Sequence, residues 1–436
     1  MANKSLGYKE LVAIAVGGMV GGGIFTILGI SVSIVGFLAP FAIALGGIIA
    51  LFAAYSYVKL GVYYKDEGAT YAFFKRTYPD SHIAASFIGW YTIFGYISTL
   101  ALYAYTFSSY SISGFEFANN DIIRKAIAIA IIWLFALVNL WSVKGMGKLE
   151  DIMVYSKLVI LFIISLALIY FGNTDFQTFT QTLANDFKGS NTINILIVAS
   201  VTFVAYEGFQ LVINAVDEME NPEKNIPRAI YTAVILVTLI YFIIALGSVL
   251  AIPAEDLIKN KEYALASGAE DIMGHWGRNL VIIGAVLATS SAISGTMFGS
   301  SRQMARIADD GYLPKQFTKR RHNIPTSAIV AMASTATLLI IVGGLKLILE
   351  FGSITFLFVS LLMAIANFKI RKKTNSSTLF TIISIVGLFI GATLIILYEY
   401  QTQPRQLLFI VILYIVLTLG AWSYAKIKNR SQYILR

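Results

Sequence analysis

Three features of this 436-residue chain put polar groups inside long apolar runs. Glu207 stands in the run Ala205, Tyr206, Glu207, Gly208, Phe209, Gln210, an acid beside a glycine. A carboxylate in such surroundings is costly and is normally kept for function. It either pairs with another polar group for structure alone, or stands in the gap of an interrupted helix. Lys157 is followed by Leu158, Val159, Ile160, Leu161, Phe162, Ile163 and Ile164, and no other cation lies this deep in an apolar block. It either snorkels about 10 Å to the end of its run or faces a polar interior. In the interior its protonation responds to conformation, and such a lysine can carry a proton. The third feature is backbone chemistry. Gly17, Gly18, Gly21, Gly22 and Gly23 fall within seven positions, just before Ile24 and Phe25. Gly17 to Gly21 and Gly18 to Gly22 fit small-residue helix packing. The consecutive triplet Gly21 to Gly23 points to several sides of a helix, however, and each glycine costs about 1 kcal/mol against alanine. A break that exposes N–H and C=O groups to a ligand accounts for all three.

The elements that position these residues are membrane helices. Lys, Arg, Asp and Glu make up 13% of the chain, against about 25% in a soluble protein; the hydrophobic fraction is 57% and the mean hydropathy +0.73. Apolar blocks run at about 10–35, 37–60, 83–113, 123–143, 150–172, 192–216, 228–252, 278–308, 325–345, 348–368, 378–399 and 405–425. Each suits a span of about 20 residues. Continuous runs indicate helices, since barrel strands alternate over about ten residues. The expectation is an all-α integral membrane protein with twelve transmembrane helices, residues 1–436 forming one transmembrane domain without a separate soluble unit. The first block is expected to be a retained span rather than a cleaved signal. With the N-terminus in the cytoplasm, 24 of the 33 Lys and Arg fall on that side and eight on the other, with Lys157 inside a span. The bias predicts a multi-pass protein of the cell membrane with both termini cytoplasmic.

Other chemistry is sparse. Without cysteine there is no disulfide, thiol catalysis or thiolate metal site. His82, His275 and His322 are scattered near loops, so no metal site is expected, and no Walker-type phosphate loop is present. The net charge of +9 reflects the placement of loops rather than a nucleic-acid partner. Asp217, Glu218, Glu220 and Glu223 read as a solvated loop. Pro227 suits the N-terminus of the seventh span, and Asp310, Gly311, Leu313 and Pro314 suit the end of the eighth. No enzyme and no cofactor are indicated.

With these residues in view, the chain resembles the amino acid, polyamine and organocation family of secondary transporters over nearly its whole length. The resemblance rests on Gly21, Gly22, Gly23, Ile24 and Phe25; on Tyr206, Glu207, Gly208 and Phe209; on Asn221, Pro222, Ile226, Pro227, Arg228, Ala229 and Ile230; and on Asp310, Gly311, Leu313 and Pro314. It implies the LeuT-type fold: an inverted 5+5 repeat at about 10–172 and 192–368, helices one and six broken, and two extra C-terminal helices at about 378–425. A repeat of five spans must re-enter the membrane inverted, which agrees with glycine-interrupted spans opening each half. The resemblance further implies that a substrate amino acid is held by its carboxylate and ammonium at Gly21, Gly22, Gly23, Ile24, Tyr206, Glu207, Gly208 and Phe209. It gives Lys157 the place of the sodium ion used by relatives, with Ser290 and Ser291 as neighbours. Many relatives carry an apolar residue where this chain has Glu207.

The expected function is proton-linked, sodium-independent amino acid transport by alternating access, with amino acid or amine, protons and membrane lipid as partners. Two alternatives stay open: a polyamine or other organic cation carrier using Glu207 as counter-charge, and a substrate sensor built on a transporter fold. Glu207 itself is expected to be protonated, paired with a cation such as Lys157, or matched by a substrate ammonium.

Overall fold

A computed structural model describes residues 6–141, 144–172, 174, 176–189, 192–321 and 324–434; His322 lies outside them. The chain runs through α1 (Tyr8–Met19), α2 (Gly23–Val35), α3 (Ala39–Tyr64), α4 (Ala69–Thr77), α5 (His82–Ile112), α6 (Asp121–Trp141), α7 (Lys144–Tyr170), α8 (Phe176–Gly189) and α9 (Thr192–Val201). It continues through α10 (Leu211–Asn214), α11 (Pro222–Ala251), α12 (Ala254–Lys259), α13 (Ala264–Asp309), α14 (Thr326–Val342), α15 (Leu345–Lys369), α16 (Thr378–Thr402) and α17 (Pro404–Ile434). Among the described residues the only extended pairings are two isolated bridges, Leu6 with Met219 and Arg321 with Ile324. Nine helical stretches there are long and apolar enough to cross a membrane. Helices satisfy their own backbone groups, which lipid cannot do.

The most apolar window of α15 is 83% buried and that of the stretch 192–214 likewise 83%, against 28% for α16 and 17% for α17. The first two therefore form the centre of the bundle. The last two are peripheral, and their exposed Phe389, Leu408, Val416 and Trp422 suit contact with lipid chains.

Two departures from regular helix sit at the centre. The first apolar block is α1 and α2 with Val20, Gly21 and Gly22 between them. Val20, at φ −82° and ψ 76°, has left the helical path, and the Gly21 N–H turns to the Met19 carbonyl at 3.0 Å instead of continuing the ladder. The second runs from α9 into a 3₁₀ segment, Thr202–Tyr206, then an extended Glu207 (φ −69°, ψ 143°) before α10 begins. Gly208 adopts φ +125°, a conformation that L side chains rarely reach. The two interruptions cross. A Cβ on Gly208 would lie 2.6 Å from the Gly18 carbonyl carbon, and one on Gly23 would lie 2.6 Å from the Ala205 Cβ. Tyr241 of α11 fastens the crossing, its hydroxyl placed between the carbonyls of Met19 at 2.9 Å and Ala205 at 3.2 Å.

Some boundaries differ from the sequence reading. Pro227 is not at a helix start: α11 opens at Pro222 behind Asn221 at φ 43°, which leaves Pro227 inside the second turn. Pro222 takes the position where a missing N–H costs nothing, so the later proline forgoes one bond near the helix end. Helix α13 starts before the predicted 278 and passes a break at Gly274 (φ 66°, ψ −162°). Helices α4, α8 and α12 lie between the apolar blocks and carry no strong apolar signal. The end of α13 is as expected: Gly311 sits at φ +85°, and the Tyr312 N–H closes on the Ile307 carbonyl at 3.1 Å.

Substitution tests the crossing. Gly208→Ala is expected to cost at least about 1–3 kcal/mol from its positive φ, before any clash is counted. Gly387→Ala in α16, with open space around it, is expected to leave stability unchanged or slightly raised. Thermal melting in detergent distinguishes them, and equal melting temperatures would contradict the close approach.

Candidate functional site

Helix breaks leave backbone groups without partners. At the end of α1 the Gly17 carbonyl is one of these, and Lys157 Nζ from α7 donates to it at 2.7 Å. Lys157 also donates to Ser291 Oγ of α13 at 3.2 Å. The side chain is 0% exposed, so it points into the bundle and does not snorkel. A cation at a helix C-terminus is favoured by the helix dipole as well as by the hydrogen bond. Ser290 is buried beside Ser291. Across the gap, the first turn of α2 presents the N–H groups of Gly23 and Ile24 with no acceptor inside the helix, and its positive dipole end faces the break. The glycines here are tightly enclosed. A Cβ on Gly21 would meet Tyr103 and Ala292 at 2.8 Å, and one on Gly22 would meet Thr106 at 3.1 Å and Thr289 at 3.2 Å.

Glu207 is 3% exposed. Its Oε2 accepts from Gln210 Nε2 at 2.9 Å, while Oε1 is buried and accepts no hydrogen bond. Gln210 turns its own oxygen to the Gly208 N–H at 3.1 Å, which joins the acid to the strained glycine. The structure thus gives Glu207 a neutral amide neighbour and gives Lys157 the Gly17 carbonyl and Ser291, one of its two expected neighbours, so the two charges are not paired with each other. Tyr206 points away, its hydroxyl donating to the Ile43 carbonyl at 2.7 Å. Phe209 packs edge-on against Tyr57 with ring centroids 5.3 Å apart. These two brace the second break rather than line its cavity.

The cavity beside the breaks has two parts. A small inner pocket of about 20 Å³ is lined by Gly18, Glu207 and Gly208 from the breaks, Tyr96, Thr99 and Tyr103 from α5, Thr296, Ser300 and Gln303 from α13, and Phe356 from α15. That is room for about one water. It adjoins a vestibule of about 820 Å³ that shares Gly18, Thr296 and Gln303 and extends past Gly17 and Ser291 to Glu10, Glu218, Arg302 and Arg306. The vestibule lies on the face that carries the N-terminal segment. The opposite face is closed. Lys261 packs its backbone on α2 so closely that a Cβ on Gly29 would lie 2.6 Å from the Lys261 Cα, and Tyr110 donates to the Phe25 carbonyl at 2.8 Å. Among the described residues the vestibule opens on the face of the N-terminal segment.

Both interruptions expected from the sequence are present, and Lys157 and Glu207 are buried. Sequence reasoning did not find Gln210, three positions beyond Glu207, or the α5 wall of Tyr96 and Tyr103. A seven-residue spacing puts those tyrosines on one helix face, but 24 tyrosines in the chain hide the pattern. Tyr241, which spans both breaks, carries no sequence signal at all. His82 Nδ1 pairs with the Tyr312 hydroxyl at 2.7 Å and His275 with Glu270 at 2.8 Å. Among the described residues no three metal-ligating side chains gather.

Two interrupted helices that cross at mid-bundle, next to a cavity, are the candidate site for a small polar molecule. Comparison with known proteins gives the family. The model of the family described as amino acid permease matches residues 6–421. The chain is 27% identical over 436 residues to an uncharacterized protein of Methanocaldococcus jannaschii, covering 99% of this chain and 98% of that one. It is 29% identical over 396 residues to the inner membrane transport protein YbaT of Escherichia coli, covering 88% and 90%, and 24% identical to the branched-chain amino acid permease BcaP of Bacillus subtilis, covering 85% and 81%. The chain belongs to the amino acid permease family, in the amino acid, polyamine and organocation group, and is a multi-pass membrane transporter rather than an enzyme.

Proposed function

We propose that this permease is a secondary active transporter that moves amino acids across the cytoplasmic membrane by alternating access, linked to protons and independent of sodium. The observation that carries the reading is the 2.7 Å contact between Lys157 Nζ and the Gly17 carbonyl. A fixed ammonium there does the work of a bound cation. A sodium ion at the same carbonyl would lie about 4 Å from it, a repulsion of about 4 kcal/mol at an effective dielectric of 20. Loss of the proton from Lys157 removes the charge that ties α7 to the end of α1, so protonation and the position of α1 are linked. The substrate carboxylate lies on the N–H groups of Gly22, Gly23 and Ile24, and its ammonium on carbonyls freed at the two breaks, near Glu207 and Gly208.

In this reading residues 1–436 form one domain of twelve membrane helices with both termini in the cytoplasm, the spans at 10–172 and 192–368 forming two inverted units of five. Each unit opens with an interrupted helix, which supports the arrangement. The vestibule is then the cytoplasmic exit. Glu207 favours one further reading, an organic cation as substrate: its Oε1 is buried without a hydrogen bond and the residue lines the inner pocket, where a substrate ammonium would satisfy it.

In proteoliposomes with an imposed pH gradient, Lys157→Ala is expected to abolish proton-driven uptake while retaining some binding, since the backbone cradle persists. Sodium-dependent uptake by the unmodified protein, together with a fully active Lys157→Ala, would overturn the coupling. For selectivity, Glu207→Gln is expected to weaken cationic substrates by tenfold or more, about 1.4 kcal/mol, with neutral amino acids little affected if the acid meets the substrate. Unchanged competition by every amine and amino acid would remove Glu207 from the site. Gln210→Met takes away the one donor to Glu207 and is expected to cost about 1–3 kcal/mol of stability. The double change with Glu207→Gln is expected to cost less than the sum of the two single changes, because no buried acid is left without a donor; additive losses in thermal melts would contradict the pairing.

A further inference from the structure

Four polar side chains meet at the end of α15 remote from the vestibule. The Lys369 end lies on the vestibule side, where Lys59 Nζ of α3 donates to the Asn375 carbonyl at 2.8 Å; Lys346 and Glu350 lie in the first two turns at the other end. Lys346 Nζ is 3.4 Å from Glu350 Oε1 and 3.2 Å from Glu399 Oε1 of α16. Gln406, in the first turn of α17, donates through Nε2 to Glu350 Oε2 at 2.5 Å. Glu350 and Glu399 are both 0% exposed. The Lys346 side chain keeps 22% of its exposure and lies over the Tyr398 ring, 4.8 Å from its centroid.

The charges do not balance. Two carboxyl groups share one ammonium, Gln406 and Tyr398 are neutral, and Arg405, beside Gln406, forms no ion pair with either acid among the described residues. Hydrogen bonding points the same way. Glu350 Oε1 and both oxygens of Glu399 are buried, and among the described residues the only donor placed near any of them is the shared Lys346 ammonium. Ionised carboxylates only accept, so two of them have nothing to exchange; one proton turns the pair into a donor and an acceptor. A second buried carboxylate without its own cation costs several kcal/mol, and carboxyls sharing one site retain a proton to avoid it. A metal ion would also supply positive charge. The ammonium already stands between the acids, however, and hard cations take six or more oxygens.

We propose that Glu350 and Glu399, held by Lys346 and Gln406, form a proton-binding site separate from Lys157 and the helix breaks, filled from the membrane face remote from the vestibule. The proton closes the contact between α15 and α16. Helix α15 is also the one whose Ser353 hydroxyl donates to the Val201 carbonyl just before the second break and whose Phe356 lines the inner pocket. The pH on that face therefore acts on the helix that supports the break.

The test needs no transport and stands apart from the proposed function. Difference infrared spectroscopy of the full-length protein in nanodiscs is followed through a pH titration, with Glu350→Gln, Glu399→Gln and, as control, Glu207→Gln. The unmodified protein is expected to show the carbonyl stretch of a buried carboxylic acid that disappears as pH rises, regardless of whether the salt is sodium or potassium. Glu350→Gln and Glu399→Gln are each expected to lose one carboxyl's worth of that band, since the remaining acid is balanced by Lys346, while Glu207→Gln keeps it. A band untouched in both variants, no such band in the unmodified protein, or a band set by the choice of cation would overturn the proposal. Should one of the two variants fail to fold, the other, read against Glu207→Gln, still decides it.

Discussion

A backbone amide or carbonyl inside a bilayer needs a partner from the protein or from a ligand, and the centre of this molecule is arranged around that need. Two helices stop at mid-bundle, and each stop leaves carbonyls at one end and N–H groups at the other. Tyr241 is shared by the Met19 and Ala205 carbonyls, Lys157 takes the Gly17 carbonyl, and Ser353 takes that of Val201. Groups at the start of α2 keep no partner within their helix, and they stand at the break. The glycines follow from the same geometry. Gly18, Gly23 and Gly208 lie where the two chains approach backbone to backbone, and any Cβ there would collide.

Charge is used sparingly in this interior, and each instance sits against a group that makes it tolerable. The ammonium of Lys157 meets a helix C-terminus, where the dipole favours it. Glu207 meets an amide from Gln210 that satisfies one oxygen and leaves the other toward the pocket. The acids of α15 and α16 share a lysine at the far end of the bundle. Outside the membrane interior the ion pairs are more conventional: Lys75 with Asp310 at 2.7 Å and Arg306 with Asp66 at 3.2 Å tie α4 and the turn before it to the end of α13. Such partly exposed pairs contribute little stability.

Much of this was legible in the residues. The apolar blocks gave the helices because lipid enforces long uninterrupted runs, and the triplet Gly21 to Gly23 gave the first break because no packing face needs three adjacent glycines. Glu207 with Gly208 gave the second. Other parts were hidden for physical reasons. Gln210 is an ordinary amide until the backbone turns it back on Glu207, and Glu350 and Glu399 lie 49 positions apart in different helices, so only the packing of α15 on α16 brings them together. Pro227 misled because proline favours a helix start, and Pro222, five positions earlier, had already taken that place. Tyr206 matches the family's binding segment in sequence, yet its ring is turned toward α3 by the hydrogen bond to Ile43.

The central claim is that the breaks themselves are the substrate site, and the most direct measurement is an experimental structure with the amino acid that gives the largest thermal shift. The account predicts its carboxylate within hydrogen-bonding distance of the N–H groups of Gly22, Gly23 and Ile24, its ammonium on carbonyls beside Gly18 and Ala205, and its side chain toward Glu207, Tyr96 and Tyr103. An amino acid held by Arg302 and Arg306 in the vestibule, with the first turn of α2 unliganded, would contradict it.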